Sequence, residues 1–321
     1  MEANSPGSRA DRVIVVSLMK SGTHLIQELM VALGYGIYGQ SRIPAEIRPR
    51  FDEDTRQAIA SAVYGDEAAG RLVSDAEAAA AWDAYGWSWQ LRFGLPLVNR
   101  YGMAKVNSEL VETALRRTAG SRFADTPAGV CWVLPEFDIK KLDGAFLQEW
   151  EAEGEPRIIF MYRDPRDVAL SMVNFLSGKT AQGYGNFSEF QVFNSILAAK
   201  DDLEAKLEYA LSDPSFPGMG DFERSLWLLH HPNVCKVSFE ELVGAKGGGS
   251  DSAQKQAIER ICNFLEFDGD RGNLAASLFR KDAFSFFKGQ IGSWREVFTP
   301  ELKPLLENRL GRAVELYGYA G

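Results

Sequence analysis

Hydrophobic residues along this chain form two kinds of pattern, and the turns between them are its most informative places. Val13, Ile14, Val15 and Val16 run unbroken and β-branched, as in a parallel strand buried on both faces. After Gly22, the residues Leu25, Ile26, Leu29, Met30 and Leu33 recur at three- and four-residue intervals, which is one helical stripe. Ile158 to Tyr162 repeats the buried-strand pattern, and Arg163-Asp164-Pro165 then turns the chain into a helix. Pro165 suits a first helical position and Asp164 its cap. Shorter apolar runs predict strands at about 129–134 and at Val234 to Ser238. Between about 40 and 128 the pattern is helical in patches, near Thr55 to Val63, Ser74 to Trp82 and Ala104 to Arg116. Strands alternating with helices predict an α/β fold of three layers around a central parallel sheet. The 321 residues read as a single domain, with 40–128 a largely helical insertion over its site.

The first turn has the chemistry of an anion site. Lys20-Ser21-Gly22-Thr23 lies between strand and helix, where unpaired N–H groups and the helix dipole favour negative charge. Lys20 adds a cation, Ser21 and Thr23 add hydroxyls, and Gly22 permits close backbone approach. A nucleotide-triphosphate P-loop needs a Gly separated by four residues from a Gly-Lys-Ser/Thr triplet. No such Gly precedes Lys20, and Gly178-Lys179-Thr180 has Val173 at that place, so the latter reads as a helix C-terminal Gly with solvated followers. The first turn also fits a plain helix start capped by Ser or Thr. In the second turn, Arg163 stands at the carboxyl end of a strand, where ligands of open α/β sheets collect, and Ser171 lies two helical turns on. A salt bridge from Arg163 to Asp167, with Ser171 as a packing residue, describes the same positions. A third segment, Phe286 to Thr299, sets Gly289 and Gly292 between Lys288 and Arg295, a non-helical loop with cationic ends that Trp294 could anchor.

In this order and spacing the three segments resemble the PAPS-dependent sulfotransferase family, of the soluble, small-molecule type, and the resemblance spans Val13 to about Thr299. The first is similar to the family's P-loop-like phosphosulfate-binding loop, which implies donor contacts from Lys20, Ser21, Gly22, Thr23 and His24. The second is similar to its 3′-phosphate motif, which implies that Arg163 and Ser171 grip that phosphate. The third is similar to its late Lys-Gly-x-x-Gly-x-Trp-Lys/Arg loop, which implies donor contacts from Lys288 and Gly289. The family implies 3′-phosphoadenosine 5′-phosphosulfate (PAPS) as sulfuryl donor, a small-molecule alcohol or phenol as acceptor, and adenosine 3′,5′-bisphosphate as second product. Such transfer rests on positioning and charge stabilisation, with Lys20 neutralising the bridging oxygen as the bisphosphate departs. Phe239-Glu240-Glu241-Leu242 is similar to the family's Tyr-Glu-Asp-Leu turn, which implies Phe239 near the adenine; a core position is its other reading. The family requires no metal, and His24, His230 and His231 show no zinc-site spacing with Cys.

Two positions depart from the family pattern. Where small-molecule members carry a catalytic His in Lys-Thr-His-Leu-Pro, this chain has Cys131-Trp132-Val133-Leu134-Pro135, with Val133 at the His position. His24 is then the first candidate for general base, because an unperturbed pKa of about 6.5 suits proton uptake at neutral pH. The phosphate-binding Thr that often takes its place in the family makes donor binding its other role. Glu136 and Asp138 are carboxylate alternatives that would need a raised pKa. Phe287 stands where the family often has a 3′-phosphate-binding Arg, a charge that Lys288 or Arg280 could supply.

Composition narrows the partners. A net charge of −9 argues against a nucleic-acid surface, which needs clustered Lys and Arg. Three cysteines, at 131, 235 and 262, read as reduced thiols in a cytoplasmic protein. No apolar run approaches about 18 residues and the first residues lack a signal core, so no membrane partner is expected; a homodimer stays open. Gly244 to Ser252 reads as a flexible surface loop. Trp82, Tyr85, Trp87, Trp89, Phe93 and Tyr101 are dense enough to line an apolar acceptor pocket, or else to pack the insertion onto the core. Two other functions stay open: a nucleotide-dependent kinase, and a non-catalytic nucleotide-binding protein that kept the cradle and lost the family's usual His.

Overall fold

The computed structural model describes residues 9–38, 49–65, 74–95, 107–178, 188–278 and 290–320. Its centre is a sheet of β1 (Arg12–Ser17), β2 (Gly36–Tyr38), β3 (Val130–Leu134), β4 (Arg157–Tyr162) and β5 (Val234–Ser238). All neighbours run parallel, in the order β2-β3-β1-β4-β5. Four of these strands match the apolar runs of the sequence. The three-residue β2 is too short to read from a pattern.

Helices cover the sheet on both sides. The longer ones are α1 (Thr23–Ala32), α2 (Glu53–Tyr64), α3 (Asp75–Arg92), α4 (Ser108–Arg117), α5 (Gly144–Glu153), α6 (Pro165–Ser177), α7 (Ser188–Ala198), α8 (Leu203–Ser212), α9 (Asp251–Phe264) and α10 (Lys303–Leu316). Val13, Val15, Val133, Ile159 and Met161 pack with α1 and α9, while Ile14, Val16, Trp132, Leu134 and Phe160 pack with α2 to α5. Successive strand residues point to opposite faces, so a strand covered twice must be apolar at every position. That is why β1 and β4 read as unbroken runs. A third core joins α6, α7, α8 and α10 beside the sheet.

The aromatic series of α3 takes the packing role rather than the pocket role. Trp82, Tyr85, Trp89 and Phe93 are all buried in the core that includes Trp132. Trp87 is half-buried against it, and Tyr101 lies outside the described residues. Trp89 is fully buried, with the rings of Phe93, Phe123, Trp132 and Phe146 centred 5.8–6.4 Å away, mostly tilted or edge-on, the arrangement that aromatic quadrupoles favour. Arg92 enters this core with its guanidinium 4.0 Å from the Trp89 ring centre and its Nε donating to Asp143 Oδ2 at 2.7 Å. Gly244 to Ser252, expected as a flexible loop, is instead a 3₁₀ turn at Ala245–Gly247 running into α9. Ser250 caps that helix, and Asp251 Oδ1 accepts from Ala245 N at 3.1 Å.

The strand order fixes where a ligand can bind. The connection leaving β1 runs toward β2 on one side, and that leaving β4 runs toward β5 on the other. Adjacent strands whose connections diverge open a crevice at their carboxyl ends. Both anion-site turns of the sequence, after β1 and after β4, lie at that crevice.

Trp89→Ala should lower the unfolding free energy by about 3–5 kcal/mol, the usual cost of emptying a large aromatic site. A urea midpoint that falls at constant m-value would show this; a loss under about 1 kcal/mol would mean that the aromatic layer is loosely packed.

Candidate functional site

The loop after β1 has a left-handed backbone at two positions. Lys20 has φ 63, a left-handed conformation that a non-glycine residue adopts at a cost of about 1–3 kcal/mol. Gly22, at φ 97, starts α1 without any side-chain cap. A Cβ at Gly22 would lie 2.7 Å from both Met161 Cε and Phe239 Cδ2, so both backbone angle and space call for glycine. The hydroxyl of Thr23 is paired with that of Ser17 at 2.9 Å. Ser21 Oγ is buried with no hydrogen-bond partner among the described residues. A plain Ser/Thr-capped turn is therefore not what forms here. Uncapped first-turn N–H groups beside a buried, unpartnered hydroxyl make the donor set of an anion cradle.

Charge in the cradle is poorly solvated. Burial, and then the nearby Arg163 charge, push the Lys20 ammonium down to about 8, and its Nζ sits 4.3 Å from the centre of the Phe175 ring. His24, half-buried on the first turn of α1, is pushed down to about 4 by burial and then by Lys20. The imidazole is thus neutral at pH 7, and its titration moves well below the neutral range that an unperturbed histidine would suit. Ser171 lies one turn before Phe175 on the same face of α6, half-buried, which puts it on the side where Lys20 rests.

Arg163 follows β4 directly and is 8% exposed. Its Nη1 donates to Lys20 O at 3.3 Å and its Nη2 to Gln290 O at 2.9 Å. The guanidinium lies 4.3 Å from the Phe239 ring centre and 3.8 Å from Asp167 Oδ2. Its Nε is buried and unpartnered among the described residues. Burial lowers the arginine's pKa, against the nearby Asp167, Glu240 and Asp164. The expected salt bridge to Asp167 exists, yet that carboxylate has a second task. It accepts from Gly292 N at 2.7 Å and Trp294 N at 3.1 Å, tying the late loop to the first turn of α6. Burial raises the Asp167 pKa against Arg163 and these two N–H groups. Only its i+4 spacing from Arg163 marked Asp167 in the sequence, and the link to residues 292 and 294 is invisible there.

Other expected residues divide clearly. Phe239 is 5% exposed in the core beneath Gly22 and Arg163, so it backs the loop. Lys288, Gly289, Phe287 and Arg280 lie outside the described residues, although Gln290 and Trp294 show that the third segment reaches Arg163 and Asp167. Val133 is fully buried in β3 beside Val15. Glu136 is 5% exposed and accepts from Arg224 Nε at 2.9 Å. Asp138 accepts from Lys140 N at 3.0 Å and lies 3.9 Å from Lys141 Nζ. Both carboxylates thus have cationic company, Glu136 from Arg224 and Asp138 from Lys141. His230 ends a short helical turn, and His231 Nε2 lies 3.4 Å from Glu155 Oε1.

No protein-family model and no curated protein matches this sequence. Among solved structures, the crystal structure of mouse sulfotransferase SULT7A1 complexed with PAP is similar at 16% identity and a TM-score of 0.51, over 98% of this chain and 90% of that one. At that identity the likeness concerns the fold, a parallel sheet flanked by helices. No helix among the described residues is long and apolar enough to cross a membrane.

Anion affinity at this site should fall as pH rises through the Lys20 value of about 8, because only the ammonium form attracts a negative ligand. Calorimetry with adenosine 3′,5′-bisphosphate should show a drop of about tenfold from pH 7 to pH 9, and Lys20→Arg, which stays charged, should flatten it. A flat parental profile would put the Lys20 charge out of the ligand's reach.

Proposed function

We propose that this protein transfers a sulfuryl group from PAPS to a hydroxyl of a small-molecule acceptor. One observation carries the reading. Two poorly solvated cations from different loops, the half-buried Lys20 and the buried Arg163, meet at the β1/β4 crevice, with Ser21 Oγ and Arg163 Nε without partners among the described residues. Two cradles at one edge suit a nucleotide with separate 5′ and 3′ anionic groups. Lys20, Ser21, Gly22 and Thr23, with the open first turn of α1, would hold the 5′ end; Arg163 and Ser171 would hold the 3′-phosphate. The resemblance of the third segment adds Lys288 and Gly289 to that end.

The donor supplies a sulfuryl group on an activated phosphate, and its transfer leaves negative charge on the bridging oxygen. Lys20 would stabilise that charge, and its desolvated ammonium would do so more strongly than one in water. His24 is neutral at pH 7 and can take up the hydroxyl proton. Negative charge bound beside it raises its pKa and makes it a better base just when the site is filled. A second reading, a nucleotide-binding protein without turnover, draws on the buried Val133 and the paired Glu136 and Asp138, which leave His24 without a substitute.

Arg163→Ala and Ser171→Ala should each weaken adenosine 3′,5′-bisphosphate about tenfold or more while leaving adenosine 5′-monophosphate unchanged, since only the former offers a 3′ charge. Equal losses for both nucleotides in calorimetry would remove the 3′-phosphate assignment.

His24→Ala should cut kcat by about 10²- to 10⁴-fold with donor binding intact, and should abolish the acidic limb of the pH profile, which for kcat/KM belongs near the free-protein value of about 4. If the donor KM rises instead and the limb persists, His24 holds phosphate and is not the base.

A further inference from the structure

After α10 the chain turns at Gly318, which has φ 78, and delivers Tyr319 to the same crevice. The Tyr319 hydroxyl donates to Glu240 Oε2 at 2.6 Å. The other oxygen of that carboxylate, Oε1, accepts from Asp164 N at 3.1 Å. Asp164 in turn grips the Arg166 side chain, Oδ1 accepting from Nε and Oδ2 from Nη2, both at 2.9 Å. Arg166 Nη2 then donates to Tyr319 O at 2.8 Å. Four residues from three distant parts of the chain therefore close a ring. Arg166 also lies 4.0 Å from the Trp294 ring centre, so the late loop rests on the same assembly.

The ring has a specific target. Asp164 N belongs to the peptide that joins Arg163 to α6, so Glu240 holds the hinge from which the Arg163 side chain departs. Asp164 caps α6 with its carboxylate, which leaves its own N–H in need of an acceptor, and Glu240 is that acceptor. Without the Tyr319 hydroxyl, the carboxylate of Glu240 loses one of the hydrogen bonds that orient it. This half-buried carboxylate, whose charge acts on Arg163, would then be free to turn toward the guanidinium and compete with a ligand.

We propose that Glu240 and Tyr319 are positioning residues that fix the Arg163–Asp164 peptide, aim the Arg163 guanidinium at the crevice, and so set preference for a nucleotide bearing a 3′-phosphate. The inference rests on the assignment of Arg163 to that phosphate. Neither residue touches the ligand in this scheme. Their effect is read in the ratio of affinities for adenosine 3′,5′-bisphosphate and adenosine 5′-monophosphate, which a merely structural role would not change.

Calorimetry with both nucleotides, on the parent, Arg163→Ala, Tyr319→Phe, Glu240→Ala and Glu240→Gln, tests it. Tyr319→Phe and Glu240→Ala should each reduce the preference for the bisphosphate about tenfold, and Glu240→Gln, which keeps an acceptor for Asp164 N, should restore most of it. If Arg163→Ala abolishes the preference while Tyr319→Phe and Glu240→Ala leave it at the parental value, the proposal is overturned and the Arg163 assignment stands. Equal loss for both nucleotides in the two ring variants also overturns it, as general destabilisation. If the parent shows no preference, or Arg163→Ala retains it, the Arg163 assignment itself fails and the positioning role falls with it.

Discussion

Arg163 is a cation buried among backbone carbonyls, and most of the crevice is arranged around that fact. Its guanidinium joins Lys20 O on the β1 loop to Gln290 O on the late loop, while the Phe239 ring closes one face. A buried guanidinium needs acceptors for its donors, and stripping one partner from a buried charge is costly. The loops that provide those acceptors are therefore held together by the need of a single side chain. Asp167 strengthens the join by accepting from Gly292 N and Trp294 N next to the same arginine.

This arrangement concentrates positive charge where water is scarce. Burial lowers the pKa of both Lys20 and His24, and the neighbouring charge of Arg163 on Lys20 and of Lys20 on His24 lowers each further. Like charges near one another in a poorly solvated crevice repel, which costs stability. The left-handed Lys20 backbone adds local strain of the same kind. Stability is drawn from elsewhere, chiefly from the all-apolar strands and the aromatic layer between α3 and β3. That division sets the strained, charged loops on an apolar scaffold.

Much of this was legible from local pattern. The buried strands, the helix after Gly22, the Asp164-Pro165 helix start and the cationic turns all depend on residues within a few positions of one another, and periodicity and capping act over that range. The aromatic run from Trp82 to Phe93 was less legible. Its composition serves a pocket or a core equally, and only the packing of Trp89 against Trp132 and Phe146 decided between them. Gly244 to Ser252 misled for a related reason, since small polar residues make both free loops and the caps of well-formed turns.

By itself, then, the amino-acid order determined which segments become strands, which turns carry cations, and which glycine the anion loop requires. Tertiary structure alone decided how those cations behave. The partners of Arg163 stand at Lys20 and Gln290, far from it in sequence, and the Asp164 N–H next to it is met by Glu240, to which Tyr319 donates from another element. The proton affinity of His24 follows from burial and from Lys20, not from its own chemistry. Charge interactions depend on distance and solvation in three dimensions, and neither quantity is written in the spacing of residues along a chain.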